Sequence, residues 1–133
     1  MADDERFEQG LQTRREVLGS EYVDRAFESG DEFTLPWQRL LTEHAWNDLW
    51  NRPGLDRKTR SLLTIAILAV LGRSTELASH TRGALRNGAT PEEIAETFIH
   101  MSGYAGFPAG VEAFRTAQPI IADFKAQAGG AKA

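Results

Sequence analysis

The chain has 133 residues, 41% apolar and 26% charged, with a net charge of −4 and no cysteine. Length and composition predict one globular domain over residues 1–133, large enough to bury roughly two-thirds of its unfolded surface. The missing thiols exclude disulfides, thiolate catalysis and cysteine-type zinc sites, and the acidic balance argues against a nucleic-acid partner.

The acidic, polar start of the chain has no basic-then-apolar leader, which predicts a cytoplasmic protein. Phe7, Leu11 and Leu18 recur at near-helical spacing over residues 4–18, and Gly19 supplies a stop. Ser20 opens a short helix whose Tyr22, Val23, Ala26 and Phe27 share a face, with Gly30 at its end. Pro36 suits the first turn of the next helix, WQRLLTEHAWNDLW, which carries Trp37, Leu40, Leu41, Ala45, Leu49 and Trp50 before Arg52-Pro53-Gly54 breaks it.

Residues 56–88 read as a helix, a tight turn at Gly72 and a second helix. Only Thr64 interrupts the apolar run from Leu62 to Leu71, so the first of these helices is expected to be buried all round. It is too short to cross a bilayer, which takes about 20 apolar residues. Asn87-Gly88 then forms a C-cap, and Thr90-Pro91-Glu92-Glu93 is a capping box with proline at the first helical position. Ile94, Thr97, Phe98 and Met101 make the buried stripe of that helix. The segment GYAGFPAG predicts close backbone packing, either a tight helix–helix crossing or a pocket floor. A last helix is expected from about Val111, kinked at Pro119, with fraying over 1–5 and 126–133. No stretch alternates with period two, so the fold class is all-α.

Charge is unevenly spread. Residues 1–35 hold ten acids and four arginines, whereas residues 52–86 hold seven Lys/Arg against Asp56 and Glu76. The middle of the chain is therefore where an anionic ligand is expected. Within it, Glu76 and His80 stand four apart, neighbours on one helix face. A carboxylate there favours the charged imidazole and fixes its orientation, making a proton donor that works near neutral pH. The same spacing also describes an ordinary surface pair. Arg60 and Arg73 bracket the apolar helix and are the candidate anion-binding cations. Trp46 can be core or can wall an apolar pocket, and Tyr104 lies in the glycine-rich segment. No HExxH pattern accompanies the histidines, so no metal is expected.

The order AW-x-x-LW-x-RPGLDRKTRSLLTIAILAVLGR-x-x-ELASH-x-RGALRNG-x-TPEEI-x-E, followed by GYAGFPAGVEAFRTA, resembles the carboxymuconolactone decarboxylase family from about Arg14 to Ala117. The resemblance implies an AhpD-like all-helical fold of about six to seven helices, assembled as a ring homo-oligomer, a hexamer or trimer. It implies cofactor-independent loss of CO2 from 4-carboxymuconolactone, a small dianionic lactone, in protocatechuate catabolism through the β-ketoadipate pathway. His80 and Glu76 would then be catalytic, with Arg60, Arg73, Trp46 and Tyr104 on the substrate. Redox relatives carry CxxCxxxH, and here Glu76 and His80 fall where the second cysteine and the histidine would be. The family's AWG is Ala45-Trp46-Asn47 in this chain, and its frequent YCG is Tyr104-Ala105-Gly106. Two other readings stand beside this one: a lactone isomerase or hydrolase on the same fold, and a non-catalytic helical oligomer.

Overall fold

The computed structural model describes residues 2–132, and side chains over 4–129. Every regular element among them is helical: α1 (Ala2–Leu18), α2 (Ser20–Glu28), α3 (Leu35–Leu41), a π-helical segment (Thr42–Leu49), α4 (Arg57–Leu71), α5 (Ser74–Arg86), α6 (Pro91–Ala105) and α7 (Phe107–Lys132). The helices continue into both stretches for which the sequence predicts fraying, while Met1 and Ala133 lie outside the described residues. Where length alone predicts one domain, the chain forms two compact units, Met1–Arg57 and Lys58–Ala133.

In the first unit, Gly19 adopts a positive φ of 94° and separates α1 from α2. Val17, Leu18, Val23, Trp46 and Trp50 form its buried apolar cluster. The single helix expected over residues 37–50 is instead two elements, because at Thr42 the α-helix widens into a π-helix. Its i−5 bonding is carried to the end by the Trp50 N–H, which donates to the Ala45 carbonyl at 3.0 Å.

In the second unit, the core is Ile65, Ala69, Leu77, Ala84, Ile94, Phe98, Met101, Ala113 and neighbours. The predicted capping box is present: Thr90 Oγ1 accepts from the Glu93 N–H, and the Glu93 carboxylate accepts from the Thr90 N–H. Lys58 pairs with the same Glu93 at 2.8 Å, and Asn87 Nδ2 donates to Ser61 Oγ at 2.9 Å. These two links hold the start of α4 against the start of α6 and the end of α5. The glycine-rich segment is a helix junction. Gly106 turns the chain at φ 103°, and Gly110 packs so closely on α6 that a Cβ there would overlap the Ser102 side chain. The last helix accordingly starts at Phe107 rather than Val111 and runs on through Pro119.

One expectation about α4 is corrected. It is not buried all round: Ile65 and Ala69 enter the core, whereas Leu63, Ile67, Val70 and Leu71 are about half exposed. A helix with apolar residues on every side needs cover on every side, and within its own unit α4 is covered on one.

Candidate active site

The chemistry-bearing pair sits on α5, the helix that follows the Gly72 turn (φ 71°). Leu77, Thr81 and Ala84 turn inward on one side of this helix and fix its rotation in the core. Glu76 lies in the first turn, where a carboxylate is favoured by the helix dipole, and is exposed. His80 lies one turn on and is partly buried, with its Nδ1 enclosed. Ser74 Oγ, donating to Glu112 at 3.3 Å, ties the start of α5 to α7.

The spacing argument for a cationic ring does not survive burial. Desolvation lowers the His80 pKa from 6.5 to about 4, and the charge of Glu76 only partly opposes that. At neutral pH the empty site therefore holds a neutral imidazole with an exposed carboxylate one turn away. Burial outweighs the carboxylate because Glu76 faces water, where its field is screened.

The other expected residues are distributed differently. Arg60, in the first turns of α4, is partly buried, and its carbonyl accepts from Thr64 Oγ1 at 2.7 Å. Arg73, the exposed residue before α5, stands beyond the far end of the same helix. Roughly 17 Å of helix axis separates the two levels, so their backbones do not flank one small molecule. Trp46 belongs to the buried cluster of the first unit, stacked on Trp50 with ring centroids 5.0 Å apart and planes 20° from parallel. Tyr104 is 87% exposed, near the end of α6.

Tyr104 lines an open groove of about 1060 Å³ between α4 and α6, walled by Leu62, Ala66, Ile67 and Val70. Glu96, His100 and Tyr104 form an i, i+4, i+8 ladder along it, and the His100 and Tyr104 rings lie 5.2 Å apart. The four-residue spacing of His100 and Tyr104 in the sequence is the signal that groups them on one helix face. Neither Glu76 nor His80 lines this groove. The structure thus brings Glu76 and His80 together on α5 and places Tyr104 on a separate apolar surface.

Residues 36–119 match the model of the carboxymuconolactone decarboxylase family. The 4-carboxymuconolactone decarboxylase of Acinetobacter baylyi is 44% identical over 123 residues, 92% of each chain. The nitrosuccinic acid decarboxylase npaB of Metarhizium robertsii is 47% identical over 117 residues, 88% of this chain and 82% of that one. A 4-carboxymuconolactone decarboxylase sequence from Pseudomonas putida is 40% identical over 48 residues, its whole length and 36% of this chain. On a family match covering more than half the chain, and on relatives aligned nearly end to end, the chain belongs to the carboxymuconolactone decarboxylase family.

Proposed function

We propose that this chain is a cofactor-independent carboxy-lyase that converts 4-carboxymuconolactone to the β-ketoadipate enol-lactone in protocatechuate catabolism. The observation that carries the reading is the 44% identity, over 92% of both chains, to a protein of that name. Its decarboxylase character is supported a second time by the fungal relative.

The chemistry needs little. The bond from the ring carbon to the departing carboxylate breaks, CO2 leaves, and the electron pair delocalises through the ring double bond onto the lactone carbonyl. The lactone is its own electron sink, so no metal, flavin or pyridoxal is required. A proton must then reach carbon. His80 supplies it, oriented by Glu76, and its low intrinsic pKa gives the step a sequence. The ring is neutral in the empty site, and the arriving dianion, by opposite charge, favours its protonation. Proton uptake thus accompanies substrate binding, and the donor is charged only when there is something to protonate. Arg60, partly buried, holds a carboxylate. Arg73, exposed in the basic middle of the chain, raises the local concentration of the dianion.

The second relative favours a neighbouring substrate. Nitrosuccinic acid is also a dicarboxylate with an electron sink, its nitro group, and Asn47 and Ala105 depart from the family pattern at positions able to reshape a pocket. Incubating the purified protein with each diacid while following CO2 separates the readings. Release of CO2 and formation of enol-lactone from the lactone support the main one, and turnover of nitrosuccinate alone supports the other. Lactone consumed without CO2 points to an isomerase or hydrolase, and no turnover of either points to a non-catalytic oligomer.

A homo-oligomer, a ring of three or six copies in the cytoplasm, completes the proposal. It is supported by the exposed apolar face of α4 and by Phe107, 75% exposed at the α6–α7 junction. Light scattering that finds a monomer at micromolar concentration would contradict it.

A further inference from the structure

The first unit contains a buried charge with an unusual set of partners. Arg14, in α1, is 4% exposed. Its Nη1 donates to Gln38 Oε1 at 2.8 Å and to Thr42 Oγ1 at 3.2 Å, and its guanidinium lies 5.6 Å from the Phe27 ring centroid. Its bonded partners are neutral, and its buried Nε makes no hydrogen bond among the described residues. A guanidinium taken out of water without a counter-charge costs several kcal/mol. Two neutral acceptors are poor compensation for fold stability alone.

What those acceptors share is their place. Gln38 and Thr42 sit one turn apart, and Thr42 is the residue at which the α-helix becomes a π-helix. Thr42 is fully buried, and its hydroxyl donates back to the Gln38 carbonyl at 2.7 Å. One turn before Arg14, Gly10 leaves room for the Thr42 carbonyl, which a Cβ would overlap. Further along, Thr13 Oγ1 donates to Asn51 Oδ1 at 2.9 Å, and Asn51 Nδ2 donates to Asn47 Oδ1 at 3.1 Å. A π-helix is rare and does not persist for eight residues on its own hydrogen bonds. Here α1 grips both ends of it, and the segment so held carries Trp46 and Asn47.

We infer that Arg14 is a positioning residue: by clamping Thr42 and Gln38 it imposes the π-helical register over residues 42–49 that stacks Trp46 on Trp50. Its effect on turnover rests on the proposed function; the register does not. In an α-helical register residues 42–49 would turn more tightly, and the Trp46 ring would rotate away from its stacked position on Trp50.

Arg14→Met keeps the length of the side chain and removes both hydrogen bonds. The readout independent of activity is circular dichroism, where coupling between the strong indole transitions of the stacked Trp46–Trp50 pair gives an exciton couplet superimposed on the helical spectrum. The inference expects Arg14→Met to retain its helical far-ultraviolet spectrum and to lose that couplet. It also expects a fall of about 100-fold in kcat/KM toward whichever diacid the wild type turns over, the size of effect that misplacement by an ångström produces. Arg14→Lys, which can still donate to both acceptors, should restore the couplet and most of the rate. Thr42→Val tests the same clamp from the other side and should reproduce the loss. A folded Arg14→Met protein with an unchanged couplet overturns the inference. So does unfolding of both Arg14→Met and Thr42→Val, because Arg14 would then hold the whole fold rather than one turn. If the wild type turns over neither diacid but the couplet responds as expected, the proposed substrates fail while the positioning role stands.

Discussion

The two units of this chain solve opposite problems. The first buries polar groups, Thr13, Arg14 and Thr42, inside a small apolar cluster, and hydrogen-bonds them into a register that local sequence does not favour. The second buries a larger apolar core, carries one partly buried titratable ring, and leaves apolar side chains of α4 facing outward. Polar burial in the first specifies geometry. Burial in the second sets a protonation state. A buried guanidinium stays charged at every accessible pH, whereas a buried imidazole is switched by it.

The most severe way to break this contrast is to remove the ring. Replacing His80 by Gln should lower kcat by about 10²- to 10⁴-fold, the range for loss of a general acid, with helicity and oligomeric state intact. A steady-state rate within a few-fold of wild type would move the chemistry away from the second unit. Next in size is acid sensitivity. The His80 pKa is about 4 in the folded chain and near 6.5 once unfolded. Above pH 6.5 the ring is neutral in both states and contributes nothing. As pH falls from 6.5 to 4 the unfolded chain takes up a proton that the folded chain refuses, and stability drops by at most about 3 kcal/mol. Urea denaturation of wild type and His80→Gln across that window should show this slope in the wild type alone. The smallest effect belongs to Glu76→Gln. Removing the exposed carboxylate removes the one influence that raises the His80 pKa, so the pH–rate profile should move toward lower pH. Stability should stay within about 0.5 kcal/mol of wild type, as for most exposed substitutions. A profile that does not move would leave Glu76 as a surface residue only.

Local signals in the sequence were reliable where the physics is local. The Thr90–Glu93 capping box and the stops at Gly19 and Gly72 depend on residues within four positions. Three features were not legible, each for a physical reason. The π-helix depends on Gly10 and Arg14, about 30 residues upstream of the segment they shape, so the helical pattern at 37–50 carries no trace of it. The outward face of α4 escaped because a run of apolar residues reports the need for cover without saying which surface provides it. The protonation state of His80 escaped because i,i+4 spacing gives the attraction of a neighbour and omits desolvation, which here is the larger of the two. The family resemblance from about Arg14 to Ala117 is the most informative signal for function, and the match over residues 36–119 agrees with it.

The crossing of α6 and α7 has a consequence for how sequences of this kind can drift. Gly110 and Ser102 divide between them a space that holds one small side chain, so neither site changes freely while the other stays as it is. An Ala at 110 meets the Ser102 hydroxyl, so it is better tolerated with Ala or Gly at 102 than with Ser. Suppressor genetics would find these two positions linked, though they lie on different helices.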